Sequence, residues 1–261
     1  MHSLAQLKSK WLSLLLLATT LLLSACGGGG GGSSTSPQYA PTLYQAVYSS
    51  GYQYTKQFYI TGAPDDTDWD RMGVLHDGTD YRLYFMKQGT SDTLYQFAYN
   101  PNSADFEYGY NSIPQLTLTN VPADADGNSL AMSNDGTYYY AHMKSLSVPT
   151  RIYTFRYVAN TTTYAYQRSY NITKAPADTD WSRWAMLYGD SASRFYAGKT
   201  GVDSPIYQFK YNPTTQSYEW GYGGAVSTLA VIGMPSDSDT SNFSMLNNGT
   251  QYQFYYLNKR N

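Results

Sequence analysis

The sequence predicts an all-β chain, and three observations carry that prediction. Tyrosine accounts for 29 of the 261 residues while charged residues make up only 14%. This composition suits half-buried strands, whose rings pack while their hydroxyls reach water. From residue 40 onward, short Tyr/Phe/Val-rich runs alternate with period two between turns rich in Gly, Asn and Asp, and no helical periodicity interrupts them. Residues 60–110 are also written again at 172–222 without a gap, and a long internal period of short strands marks a repeat architecture.

The copy is close. Pro64, Asp66, Asp68, Trp69 and Arg71 return as Pro176, Asp178, Asp180, Trp181 and Arg183, and Arg82, Tyr84 and Lys87 return as Arg194, Tyr196 and Lys199. In chain order, runs 42–48 and 52–60 match the second half of the repeat, 95–99 and 106–110, so the strands begin midway through a unit. The first full unit opens at the Pro-x-Asp-x-Asp loop 64–68. It continues through a strand at 72–75, a turn at 76–79, a strand at 81–86, a polar loop at 87–93 and two strands joined at Asn100-Pro101. The second unit keeps the loop at 122–126 with Gly127 in place of the tryptophan, turns at 134–137, and places its later strands at 152–157 and 164–170. The third unit is the close copy. The fourth opens at 235–239, turns at 248–250 and stops after the strand 252–257.

The two half-units are complementary. Joining them completes a fourth four-stranded sheet and leaves no ragged edge. The expected fold is therefore a four-bladed β-propeller whose last blade is closed by N-terminal and C-terminal strands. A pair of small barrels or sandwiches, the alternative, would leave a half-unit unpartnered at each end. The Asp-Gly-x-x-Tyr turns at 77–81 and 135–139, with the short Tyr/Phe strands, resemble the hemopexin-like family of small propellers. That resemblance implies blade count and closure but no functional residue. With a single cysteine, the chain lacks the cysteine pair that commonly ties first to last blade there.

The N-terminus is organised differently. Lys8 and Lys10 precede an apolar run, 11–23, too short to span a bilayer comfortably. Leu23-Ser24-Ala25-Cys26 then resembles the lipobox of bacterial lipoproteins in order and position. The resemblance implies a signal peptide at 1–25, lipidation of Cys26 (palmitate) and a membrane anchor. Gly27 stands where an aspartate would signal inner-membrane retention, which implies the outer membrane of the cell envelope. Glycines 27–32 and the Ser/Thr/Pro residues after them form a flexible tether to residue 38, leaving 39–261 as the folded domain. Losing Lys8 and Lys10 takes the formal charge from -2 to -4, and no basic run points to nucleic acid.

Function is less legible. Asp-x-Asp recurs in every unit, and its carboxylates Asp66, Asp68, Asp178 and Asp180 are candidate calcium ligands. Their recurrence equally suits loop capping. Trp-x-Arg occurs only in units one and three, which face each other across a four-membered ring. With the loop lysines, Trp69, Arg71, Lys87, Trp181, Arg183 and Lys199 are expected around one mouth that grips a carbohydrate or an envelope protein. Packing of both tryptophans between blades, with both arginines paired to nearby aspartates, is the alternative. Catalysis has little support: His76 and His142 form no ligand pair or triad spacing, and Glu107 and Glu219 are expected on strand surfaces. The expected activity is non-catalytic binding, with an envelope interaction scaffold or a glycoside hydrolase as alternatives.

Overall fold

The computed structural model describes residues 40–189, 192–224 and 227–259, which belong to the unit Tyr39–Asn261. The expected signal peptide, Cys26 and tether lie outside the described residues. The chain opens with β1 (Leu43–Tyr48) and β2 (Tyr52–Phe58), and the short β3 (Ile60–Thr61) leads to a meander of β4 (Thr67–His76), β5 (Tyr81–Lys87), β6 (Thr93–Asn100) and β7 (Asp105–Tyr108). A linking strand, β8 (Gln115–Thr119), precedes the second meander: β9 (Ala131–Asn134), β10 (Tyr139–Lys144), β11 (Arg151–Tyr157) and β12 (Thr163–Thr173). The third comprises β13 (Thr179–Gly189), β14 (Ala192–Lys199), β15 (Val202–Asn212) and β16 (Ser217–Trp220). Two short links, β17 (Thr228–Leu229) and β18 (Val231–Ile232), lead to β19 (Ser238–Asn247) and β20 (Tyr252–Asn258). Among the described residues there is no α-helix.

The last strand returns to the first. β20 pairs antiparallel with β1 from Leu43↔Leu257 to Val47↔Gln253, so β19-β20-β1-β2 is a fourth meander assembled from both ends of the sequence. The leading strands touch in cyclic order, β4 to β9, β9 to β13, β13 to β19 and β19 to β4. Gly73 lies on this inner line. A Cβ there would meet Met132 Cγ of β9 at 2.3 Å, so only glycine permits the approach.

A second cyclic pattern runs around the outside. The segment leaving each meander pairs parallel with the outermost strand of the next: β3 with β7, β8 with β12, the end of β12 with β16, and β18 with β2. These links, not anticipated from the sequence, cover the outer edges, which would otherwise expose unpaired backbone groups. The cores lie between neighbouring meanders. Trp69, Phe85 and Phe97 pack with Leu43, Tyr255 and Leu257, while Tyr84 and Leu116 pack with Met132 and Phe155. The inner strands are thus buried on both faces, as the run of buried residues in β6 shows. At the turn ends Gly78, Gly136 and Gly249 hold φ of 96°, 85° and 90°, the left-handed region that side chains disfavour.

Candidate functional site

Each Pro-x-Asp-x-Asp loop is a lock between strands. The prolines Pro64, Pro122, Pro176 and Pro235 accept from the amide three residues on at 2.9–3.1 Å. In every meander a third-strand tyrosine hydroxyl donates to the first aspartate: Tyr95 to Asp66 (2.7 Å), Tyr153 to Asp124 (2.6 Å), Tyr207 to Asp178 (2.6 Å) and Tyr44 to Asp237 (2.9 Å). Lys87 and Lys199 add ion pairs to Asp66 and Asp178 at 3.3 and 3.4 Å. The tyrosine hydroxyl, then the lysine, holds both carboxyls below the usual range. The second aspartates, Asp68, Asp126, Asp180 and Asp239, each accept from the amide two residues on at 2.9–3.0 Å. This corrects the calcium expectation for Asp66, Asp68, Asp178 and Asp180, whose oxygens serve the loops. Among the described residues no group of three or more His, Cys, Asp or Glu is placed to hold a metal.

The Trp-x-Arg residues sit in bulges. Pairing jumps from Asp68 to Met72 in β4, from Asp180 to Trp184 in β13 and from Asp239 to Phe243 in β19, leaving three residues looped out of each ladder. Trp69 turns inward, 4% exposed, with its ring centroid 4.8 Å from Phe85. Trp181 is half-buried and stacks on Phe195 at 6.3 Å. Arg183 is buried and donates to the carbonyls of Thr240 (2.9 Å), Val202 (2.7 Å) and Asp203 (3.1 Å). Asn242 donates to the Trp69 carbonyl at 3.0 Å, and buried Lys144 donates to the Trp181 carbonyl. Burial lowers the pKa of Lys144. Arg71 is half-buried and donates to the carbonyl of adjacent Asp70. The expected two-tryptophan mouth is thus corrected. The bulges tie the second meander to the third, the third to the fourth and the fourth to the first, with the Trp69 ring closed to a ligand and Arg183 committed to backbone.

The space for a ligand lies at the other end of the strands, beside the turns. A cleft of about 540 Å³ opens between the second and third meanders, lined by Ser133, His142 and Thr154 on one side and by Tyr170, Tyr211 and Tyr218 at its wall. The repeat explains why it is there. At the matching positions the first meander carries Leu75, Tyr84 and Gln96, the third Leu187, Tyr196 and Gln208, and the fourth Leu246, Tyr255 and Gln45; the cross-strand pairs Tyr84↔Gln96, Tyr196↔Gln208 and Gln45↔Tyr255 match His142↔Thr154. These larger side chains occupy the space that Ser133, His142 and Thr154 leave open. A cleft of about 280 Å³ remains beside Leu75, Tyr84 and Gln96, adjoining one of about 740 Å³ lined by Tyr138, Tyr139 and Tyr157, and about 60 Å³ remains beside Tyr255 and Gln45. Three smaller residues at register-matched positions hollow the boundary between the second and third meanders. The repeat alignment holds this signal, but it is meaningful only once the three positions are known to be neighbours on one face.

The cleft floor is a satisfied polar network. His142, 3% exposed, lies 2.8 Å (Nε2) from Ser133 Oγ and 3.1 Å (Nδ1) from Thr154 Oγ1. Burial pulls its pKa down to about 3, so the ring is neutral at ordinary pH and offers one donor and one acceptor. A serine beside an imidazole has the spacing of a nucleophile and its base. Here the other ring nitrogen meets a hydroxyl rather than a carboxylate, and so weak a base has little affinity for the serine proton at neutral pH. The network orients hydroxyls rather than activating one. Tyr170 meets Tyr211 and Tyr218 edge-on at 5.5 and 5.6 Å, and Tyr140 donates to Asp135 at 2.8 Å. Glu107 and Glu219 lock turns, accepting from Asn100 and Asn212 at 2.8 and 3.0 Å. Glu219 is buried, contrary to the expected surface position, and the hydrogen-bonded ammonium of Lys174 leads the contacts that hold its pKa near 2.

No protein-family model and no curated protein matches the chain. Among solved structures it is similar to the exo-β-1,3-galactanase of Phanerochaete chrysosporium, at 12% identity and TM-score 0.41, covering 84% of this chain and 54% of that one. It is similar to the GH32 β-fructofuranosidase of Bombyx mori, at 12% identity and TM-score 0.42, covering 84% and 52%. A third is the Aleuria aurantia lectin in complex with α-methyl-L-fucoside, at 14% identity and TM-score 0.33, covering 76% and 55%. The chain spans about half the length of each. Similarity at this level transfers no ligand or activity.

Proposed function

We propose that this chain is a non-catalytic carbohydrate-binding module of the bacterial cell envelope. In this reading it is a four-bladed β-propeller, its last blade formed by β19 and β20 with β1 and β2. A lipid on Cys26 and the glycine tether hold it at a membrane, the outer membrane where Gly27 sets the sorting. The cyclic contact of the four leading strands and the β1–β20 pairing support the propeller. The lipobox and the glycine run support the anchor.

The observation that carries the binding reading is the hollow boundary between the second and third blades. Saccharide recognition asks for flat aromatic faces beside a few oriented polar groups in a cleft of some hundreds of cubic ångströms. Half-buried Tyr170 and Tyr211 supply the aromatic faces, backed by buried Tyr218, above the Ser133–His142–Thr154 floor in about 540 Å³. The test is to restore the pattern of the other three blades with Ser133→Leu, His142→Tyr and Thr154→Gln together. The filled protein is expected to fold and to lose binding on a glycan array that the unaltered chain retains. Equal binding by both refutes the site. The anchor is tested by mass spectrometry of the membrane fraction, where Cys26→Ser abolishes the acylated N-terminus.

A further inference from the structure

We infer that the cleft between the second and third blades takes an anionic saccharide, its carboxylate or sulfate held by Arg168 and Lys210 against the tyrosine wall. This rests on the carbohydrate reading above and adds the charge of the ligand. Among the described residues, three charged side chains line the cleft: Asp135, Arg168 and Lys210. Asp135 is already engaged. Its Oδ1 accepts from the amides of Thr137 (2.9 Å) and Tyr138 (2.7 Å), and its Oδ2 from Tyr140 Oη (2.8 Å). Among the described residues neither Arg168 nor Lys210 forms an ion pair.

The neighbouring boundary shows the contrast. In the cleft between the first and second blades Arg82 is neutralised by Asp77 at 3.0 Å and Asp80 at 3.3 Å. The repeat carries cations at these registers elsewhere too: Lys56 pairs with Gln45 as Arg168 pairs with Thr154, and Arg156 pairs with Tyr140 as Lys210 pairs with Arg194. Lys210 stands where the first unit has Ala98. Arg168 lies on β12 opposite Thr154 of the cleft floor, and the end of that strand joins β16 of the third blade at Asn171↔Ser217. The Arg168 guanidinium is 5.5 Å from the Tyr170 centroid, so charge and aromatic face are presented together. Arginine recognises carboxylate and sulfate-like oxyanions through paired donors, and such charge-assisted bonds are about twice as strong as neutral ones. On a chain of formal charge -2, an unpaired cationic pair beside an aromatic wall selects for an acidic sugar.

The experiment uses the full chain in detergent and titration calorimetry at low and high salt. The probes are an oligogalacturonate and its methyl ester, then a sulfated galactan oligosaccharide and its desulfated form. At least one anionic probe is expected to bind about tenfold or more tighter than its neutral counterpart. The pair that shows the preference identifies carboxylate or sulfate as the group recognised. Arg168→Gln with Lys210→Gln removes that preference, with at most a small drop in melting temperature from the lost Arg168–Tyr170 contact. Equal affinity for neutral and anionic forms, or a preference that survives the double substitution, overturns the anionic assignment and leaves the carbohydrate reading standing. Absence of binding to every saccharide, neutral or charged, overturns the carbohydrate reading itself and this inference with it.

Discussion

The buried imidazole at the cleft floor makes stability depend on pH in a way that a single substitution isolates. His142 is neutral in the folded chain, with its pKa pulled to about 3 by burial, against about 6.5 in an unfolded chain. Between these values the unfolded state binds the proton and the folded state does not, so folding is weakened as pH falls through 6.5 and the loss levels off below 3. From pH 7.5 to pH 4.5 the linkage amounts to about 2.7 kcal/mol. At pH 4.5 a native pKa anywhere below about 4 gives nearly the same figure, because the unfolded state sets the term. His142→Gln keeps an amide donor and acceptor for Ser133 and Thr154 but cannot titrate. Denaturant unfolding of both proteins at the two pH values is the assay. The unaltered chain is expected to lose about 2.7 kcal/mol more than the variant, or about 5–10 °C in melting temperature for a domain of this size. Carboxylates such as Asp66 and Asp178 titrate identically in both proteins and cancel in the difference. Parallel pH dependence in the two proteins would show that the ring is hydrated or charged in the fold and would refute the dry floor.

Trp69→Ala is expected to cost about 3–5 kcal/mol by denaturant unfolding, because the ring is enclosed against Phe85 and Phe97. Trp181→Ala, at a half-buried position, costs less, and neither abolishes saccharide binding measured on the folded fraction. Arg183→Ala leaves the carbonyls of Thr240, Val202 and Asp203 without their donor and is expected to destabilise by about 3 kcal/mol or more in the same assay. Adding calcium or a chelator is expected to leave the melting temperature of the folded domain unchanged, since the loop aspartates already accept from tyrosines and amides; a calcium-dependent rise would reopen Asp66, Asp68, Asp178 and Asp180 as ligands.

The all-β class was legible because alternation and turn chemistry agree along most of the chain, and the pairing of the two half-units because strands 42–48 and 252–257 each lacked a partner in sequence. The direction of Trp69 was not legible. It sits where the ladder skips from Asp68 to Met72, and inside a bulge the period-two rule that assigns faces no longer applies. The linking strand β8 was missed for another reason. Its five residues pair with β6 and β12 rather than with a sequence neighbour, so no hairpin signal marks it. The cleft escaped because the eye follows what recurs, whereas Ser133, His142 and Thr154 are a departure from Leu75, Tyr84 and Gln96. That departure lies on three different strands and becomes one feature only through cross-strand register.

A repeat architecture lets one boundary specialise provided the others, and the rest of that boundary, hold. Exchanging a tyrosine, a leucine and a glutamine for smaller residues forfeits packing but strands no polar group, because His142 satisfies Ser133 and Thr154. The loss is confined to the turn end. At the loop end the same boundary is held by Lys144 on the Trp181 carbonyl, and on the outside by the parallel pairing of Asn171, Ile172 and Thr173 with Ser217, Tyr218 and Glu219. The same strand places Arg168 opposite Thr154 at the cleft. One strand thus does two things: it holds the second and third meanders together while their facing side chains are thinned out, and it brings a charged side chain to the space so made. Shortening it is therefore expected to damage stability and ligand preference together, whereas Arg168→Gln removes only the second.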